Sequence, residues 1–572
     1  MFTAIRNVVL KYCCVDVLTF CRVHQSQHFN RRGFGVGTST HQHNVVMQRK
    51  FLTNLLFLIF VNLLIKPFYI FGIDRTVQVT VGTADYGLYA VLYNFSILYY
   101  ILLDLGLSNY NNRTIAQQPH LLKNYLPNFL IIKTLLSFVY LAVVFGLAYS
   151  WGYRGVKLSL LFPLALNQVF IGFILYFRSN IAALHFFRWD AIISVFDRIL
   201  VIIVCSVLLW GSVVPTFEIE YFVYAQTFAY ALTALGSGIL VFRLTSQQSF
   251  LPSTLEGSES ELDAVSKISE SKSERRQQNI IEEGKQNEVG SSPPLPLARS
   301  ILNILKESYP YALLVLFMTI YNRIDSIMLE KLLSDGLNQA GIYAAAYRLL
   351  DAVNIFGLLF GSLLLPIFAK MLKAKDHIEA LTFTAFKLIL AFSVSVAICS
   401  AAFGAEIMTL LYQDNVTEVW VDVFELLIFS FIPVASVYIF GTLMTANANL
   451  WQLNIIAISG VILNIVLNLL LIPKYEVYGA TLATLITQSL VAIAHIIWSK
   501  YIFRLHFSIT FFIQIISFIG LTILCNYLAL SQLSFHNWYI DFLFAVTLTV
   551  FVAFGTRLID LRAFVEILKS RE

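Results

Sequence analysis

Phe71-Gly72-Ile73-Asp74-Arg75, followed by Gly87-Leu88-Tyr89-Ala90, is matched later in the chain by Asn322-Arg323-Ile324-Asp325-Ser326, followed by Gly341-Ile342-Tyr343-Ala344. In each case an Ile-Asp step precedes a Gly-(Leu/Ile)-Tyr-Ala step, where one long apolar segment ends and the next begins. Asp74 and Asp325 are 251 residues apart, Gly87 and Gly341 are 254 apart. Similarity held at nearly one spacing indicates that the chain contains the same unit twice.

The unit belongs in lipid. Of 572 residues, 58% are hydrophobic and only 13% charged, and the mean hydropathy is +0.73. A soluble chain of this length needs far more polar surface to cover its core. About 20 apolar residues carry a helix across the hydrocarbon layer. Fourteen segments qualify, from Phe51–Gly72 and Tyr86–Leu107 to Trp538–Phe554. The predicted fold is an all-α integral membrane protein of about fourteen transmembrane helices: two six-helix bundles, 51–242 and 309–498, and two additional helices over 507–554. Six crossings return the chain to its starting side, so the two bundles run parallel, with a cavity expected between them near the midplane.

Positive side chains set the expected orientation. With both termini in the cytoplasm, Arg49, Lys50, Arg113, Lys123, Lys370, Lys373, Lys375, Lys500, Arg504, Arg557, Arg562 and Lys569 lie inside, whereas the opposite loops hold Arg75, Arg154, Lys157, Lys331 and Lys474. Three stretches fall outside the membrane body. Residues 1–46 are polar and basic with a single acid, Asp16, and Met47-Gln48-Arg49-Lys50-Phe51-Leu52 reads as a bacterial start, so 1–46 is a non-native extension or else a targeting peptide. Residues 245–297 are rich in Ser, Glu and Lys and read as a disordered cytoplasmic linker, so that deleting 256–290 should leave transport intact. Residues 555–572 form a cytoplasmic tail.

The formal net charge of +5 comes without any nucleic-acid-binding module. Cys13, Cys14, Cys21, Cys205, Cys399 and Cys525 show no metal-ligand or disulfide spacing and read as structural thiols. There is no catalytic constellation and no Gly-x-x-x-x-Gly-Lys-(Ser/Thr) loop for ATP. The chemistry therefore rests on ionisable residues inside helices, each costing on the order of 3 kcal/mol or more at the bilayer centre unless it meets a partner or water. These are Lys66, Arg198, Arg323 and Arg348, with Asp197, Asp325 and Asp351 close in sequence as possible ion-pair partners. Lys133 and Lys387 sit nearer helix ends and are expected to snorkel. Asp74-Arg75 reads as a boundary capping pair or a gate, and Asp104 as an interfacial carboxylate or a proton carrier. Pro67, Pro163, Pro366 and Pro433 can bend their helices. Tyr99-Tyr100, Tyr309-Pro310-Tyr311 and Trp538-Tyr539 are expected at the interfaces.

Over 51–554 the chain resembles the polysaccharide flippases of the multidrug/oligosaccharidyl-lipid/polysaccharide (MOP) exporter superfamily, including O-antigen translocases. The resemblance rests on Phe71 to Arg75 with Tyr86-Gly87-Leu88-Tyr89, and on Leu463-Asn464-Ile465-Val466-Leu467-Asn468 through Pro473 with Tyr478-Gly479-Ala480-Thr481. It implies alternating access around a cationic cavity and a polyprenyl-pyrophosphate-linked oligosaccharide as substrate, in the bacterial inner membrane. Partners would be the lipid-linked glycan, membrane lipid and polysaccharide-assembly proteins, with no cofactor beyond a coupling ion, H+ or Na+. Lys66, Arg198, Arg323 and Arg348 would then meet the substrate anion, and Asp74, Arg75, Asp104, Asp197, Asp325 and Asp351 would serve gating or coupling. A multidrug exporter of the same superfamily would want deep acids instead. A membrane glycan polymerase or glycosyltransferase would want a large extramembrane domain, and every loop on the outer side is short.

Overall fold

In the computed structural model, the described residues are 61–558, apart from 63, 109–110, 112–114, 116–121, 185, 249–296 and 532–536, and for 297–308 only the backbone is described. The 1–46 extension, most of the 245–297 linker, Arg113 and the tail beyond Leu558 lie outside them. The first bundle comprises α1 (Arg75–Val81), α2 (Thr83–Leu98), α3 (Leu122–Ser150), α4 (Val156–Ala183), α5 (Phe187–Trp210) and α6 (Ile219–Gln248). The second comprises α7 (Leu297–Leu332), α8 (Gly336–Ala374), α9 (Glu379–Ala402), the short α10 (Gly404–Tyr412), α11 (Glu418–Ile428), α12 (Phe431–Ala446) and α13 (Leu450–Phe503). Two further helices, α14 (Ile509–Ser531) and α15 (Trp538–Gly555), pack on α9.

The described residues contain eleven helices long and apolar enough to cross a membrane. One of these, α13, has 54 residues and is broken at Glu476, whose φ of 52° and ψ of −129° are not helical. Gly479 makes the reversal possible, because a Cβ there would overlap the backbone of Leu471. With α13 counted as two crossings, the described residues hold twelve of the fourteen passages expected from hydropathy; much of the first segment lies outside them, and α2, at 16 residues, is shorter than a full crossing. Long apolar side chains face outward: Ile131, Leu135 and Phe138 of α3 and Ile513 and Ile516 of α14 are all more than half exposed. In a lipid solvent such a surface carries no penalty.

Three expectations are corrected. The stretch Phe71–Arg75 does not end the first helix. After Pro67 the chain runs through a π-helical segment, Tyr69–Asp74, directly into α1, and stops only at Gly82, whose φ of +86° suits glycine. Asp74 is therefore inside a helix and 1% exposed, with no capping role. Lys133 does not snorkel: it is 2% exposed and its ammonium donates to Asp104 Oδ1 at 2.8 Å and to the carbonyls of Leu103 and Gly172. Asp104 is thereby a paired carboxylate that also accepts from Ser108, not a free interfacial group. Lys387 reaches the amide oxygen of Gln514 on α14 at 2.9 Å.

Between the bundles, α2 lies against α7 and α8, and within the second bundle α7 packs against α13. The 39 residues of α8 span ~58 Å, well beyond the ~30 Å hydrocarbon layer, so Lys370 and Lys373 near its C-terminus extend past the apolar zone.

Candidate functional site: an inter-bundle cavity and two buried aspartates

A cavity of about 740 Å³ lies between the bundles, walled by Tyr93, Gln168 and Arg198 of the first and by Asn322, Arg323, Asp351, Tyr438, Gln488 and His495 of the second, among others. It occupies the half of the molecule nearer the α12–α13 turn, since Thr445 and Leu453 line it. In the opposite half the bundles are closed on one another. There Gln78 Nε2 donates to Gly341 O at 3.1 Å and Asn94 Nδ2 to Ser326 Oγ at 3.1 Å.

Arg198 stands on the first-bundle wall. Its guanidinium lies over the ring of Tyr69 at 4.8 Å and that of Tyr230 at 5.6 Å, and Nη1 donates to the Tyr230 hydroxyl at 2.7 Å. Its carboxylate neighbour is Asp197, next in sequence, at 3.6 Å. Lys66 does not line the cavity. It sits half-buried among Arg198, Arg178 and Asp197, and Arg178 is committed to Asp190 at 2.7 Å. The charge around Arg198 and Lys66 is therefore positive.

On the second-bundle side the cations are neutralised. Arg323 holds Asp351 through both terminal nitrogens, each at 3.3 Å, and lies over the Tyr347 ring at 5.0 Å. Arg348 sits behind the cavity and crosses to the first bundle, with Nε 2.9 Å from Asp74 Oδ2 and 3.1 Å from the Tyr86 hydroxyl, which itself donates to Asp74 at 2.9 Å. Arg348 Nη1 is also 3.9 Å from Asp351. Asp74, Arg348, Asp351 and Arg323 thus form one ladder of alternating charge from bundle to bundle, with no net charge. The expectation was four cavity-lining cations or ion pairs with Asp197, Asp325 and Asp351; Arg323 pairs with Asp351 in place of Asp325, and Arg348 chiefly with Asp74. The geometry separates Lys66 and Arg198 from Arg323 and Arg348.

Asp325, the repeat counterpart of Asp74, has a different environment. It is fully buried and accepts from Asn468 Nδ2 at 2.6 Å, Asn464 Nδ2 at 3.1 Å, Thr484 Oγ1 at 3.0 Å and the Tyr343 hydroxyl at 3.0 Å. Among the described residues no Lys, Arg or His pairs with it. An anionic carboxylate held by neutral donors alone is costly in this setting. The described residues hold no cluster of three His, Cys, Asp or Glu that could bind a metal.

Two further contacts close the end away from the cavity. Arg75 does not pair with Asp74; its guanidinium donates to the carbonyls of Leu411 and, at 3.3 Å, Leu410 at the end of α10. Glu330 of α7, 6% exposed in its side chain, takes Lys157 of α4, Lys331 at 3.3 Å and the Tyr153 hydroxyl at 3.4 Å. Burial and then the Glu330 carboxylate push the Tyr153 phenol, in the α3–α4 turn, well above its ordinary range. Asn464 and Asn468 were visible in sequence only as a motif, although their spacing of four on a helix does place both amides on one face. Glu330, Gln488 and His495 carried no sequence signal that set them apart.

Residues 51–258 match the family model "Polysaccharide biosynthesis protein", and residues 299–549 match "Lipid II flippase MurJ". No curated protein matches the chain. Lipid II flippase MurJ in an inward closed conformation superposes with a TM-score of 0.54 at 14% identity, over 91% of this chain and 100% of that one. An inward-facing multidrug-resistance MATE transporter gives 0.53 at 14% identity, over 78% and 98%. A MOP superfamily transporter from Pyrococcus furiosus, described as having a binding pocket of reversed polarity, gives 0.51 at 12%, over 79% and 95%. At such identities the solved structures speak for the fold, and the two family models, one on each bundle, speak for the lineage. The first bundle is thus similar to the polysaccharide biosynthesis family and the second to the lipid II flippase family, on a fold shared with MurJ and MATE transporters.

Proposed function

We propose that this protein flips a polyprenyl-pyrophosphate-linked oligosaccharide across the bacterial inner membrane for polysaccharide assembly, with both termini in the cytoplasm. The observation that carries the reading is Arg198: a cavity-wall guanidinium, held flat by two tyrosines, whose nearest carboxylate is its own sequence neighbour. With Lys66 behind it, this wall suits an anionic headgroup. The cavity stands at the end expected to face the cytoplasm, where such lipids are made. The multidrug alternative shares the fold, but the acid on the cavity wall, Asp351, is already held by Arg323. Transport needs no bond made or broken, and an ion gradient supplies the drive through Asp325, whose neutral shell favours exchange of H+ or Na+.

The test is reconstitution of the full chain in liposomes with a fluorescent undecaprenyl-pyrophosphoryl oligosaccharide. Lipid is expected to reach the far leaflet, and Arg198→Gln to slow it about tenfold or more, the scale of one charge-assisted contact. Equal rates for the wild type and for empty liposomes would sink the proposal.

A further inference from the structure

The cavity has two chemically different walls. The first-bundle wall carries Arg198, paired with Asp197 at 3.6 Å and backed by Lys66, which leaves an excess of positive charge on that side. Across from it, the second bundle presents neutral hydrogen-bonding groups around an aromatic ring. Tyr438 of α12 is seated against Gly357 and Gly361 of α8: a Cβ on Gly357 would overlap its ring, and one on Gly361 would lie 3.5 Å from it. Glycine at both positions makes the notch that holds the ring beside the cavity. Near it on α8, Asn354 Oδ1 is buried and accepts no hydrogen bond.

The polar groups are held in fixed roles. Gln488 Nε2 donates to Asn322 Oδ1 at 2.6 Å, and Asn322 Nδ2 is bound to Met318 O at 2.7 Å. His495 Nδ1 lies 2.8 Å from Val491 O. A carbonyl only accepts, so Nδ1 carries the proton, and in the neutral ring Nε2 is then an acceptor. That nitrogen is beside Gly441, where a Cβ would lie 3.6 Å from it. Two acceptors without donors, an amide pair and a flat ring match hydroxyl groups and the C–H face of a sugar. They do not match a phosphate, which brings only acceptors and negative charge.

We infer that the second-bundle wall, built from Asn354, Tyr438, Gln488 and His495, is the sugar subsite, and that it discriminates among headgroups while Arg198 on the first bundle takes the pyrophosphate. The inference rests on the flippase reading. At about 740 Å³ the cavity falls within the range of small-ligand sites, ~300–1,000 Å³, enough for a headgroup of a few rings.

Binding of two lipids to the full chain in nanodiscs separates the two walls: bare undecaprenyl pyrophosphate, and undecaprenyl-pyrophosphoryl-N-acetylglucosamine. The wild type should bind the glycosylated lipid about tenfold tighter, the effect of one or two well-placed hydrogen bonds. Tyr438→Leu, Gln488→Leu and the milder Asn354→Ala should each erode that preference by about threefold or more and leave the bare lipid unchanged. Arg198→Gln should weaken both lipids alike. Equal wild-type affinity for the two lipids, or variants that weaken both in parallel, would overturn the sugar wall and leave the flippase reading standing. If the wild type binds neither lipid, both readings fail.

Discussion

Gly87 and Gly341, counterparts in the two repeats, pack against each other's helices. A Cβ on Gly87 would overlap the Leu337 carbonyl of α8, and a Cβ on Gly341 would overlap the Thr83 carbonyl at the start of α2. Backbone touches backbone at the end where the cavity is shut, the close approach that small residues allow between membrane helices. Under the proposed flippase function, alternating access would have to part this contact.

Gly87→Ala should cost about 1–3 kcal/mol of stability, as overpacking does, and should expose the closed end. Thermal unfolding and thiol labelling of a Thr83→Cys reporter measure both effects. Gly72→Ala is the control, since a Cβ there meets only the Phe68 ring at 3.7 Å. Indistinguishable behaviour of the two variants would show that the crossing is loose.

Glu330 is buried beneath two lysines, but Lys157 is 33% exposed, so water screens part of the pairing. Glu330→Gln should destabilise the closed end by about 1–2 kcal/mol. Faster proteolysis within 151–155 would report the loss. Adding Lys157→Met should restore part of the stability, because an unpaired lysine costs more than an apolar residue there; no recovery would argue against coupling.

Asp325→Asn should insert and elute normally yet lose gradient-driven transport, while Asn468→Ala should weaken the apparent ion affinity about 10- to 100-fold, the scale for groups that orient an ion's ligands. Imposed Na+ and H+ gradients in proteoliposomes distinguish the ions. Full gradient response in Asp325→Asn would place coupling elsewhere.

Gln413, between α10 and α11, has φ 53° and ψ −131°, close to Gly155 between α3 and α4, with φ 53° and ψ −126°. The first turn uses glycine and the second strains a side-chain-bearing residue. Gln413→Gly should therefore stabilise by about 1 kcal/mol, with the gain partly offset by unfolded-chain entropy. A lowered melting temperature would contradict this.

The fold was largely legible because lipid makes hydropathy a direct readout of crossings, and because the Ile-Asp and Gly-(Leu/Ile)-Tyr-Ala steps survived duplication. Asp74 and Asp325 could be singled out for the same reason. Their partners could not. Arg348 is far from Asp74 in sequence, and only the packing of the two bundles brings them to 2.9 Å. Lys133 misled because position along a helix says nothing about which face turns inward. The first helix was cut short at Arg75 because apolar content falls there, whereas the backbone stops only where Gly82 permits the turn. The neutral cavity wall was invisible: Asn, Gln, Tyr and His occur throughout membrane helices, and only convergence of four of them on one surface gives them meaning.

The ladder from Asp74 to Arg323 has a consequence for the open state. When the bundles separate, Asp74 departs with the first and Arg348, Asp351 and Arg323 remain on the second, two cations against one anion. Under the proposed flippase function, the motion that uncovers the other face of the membrane would convert this neutral ladder into a positive surface that attracts phosphate.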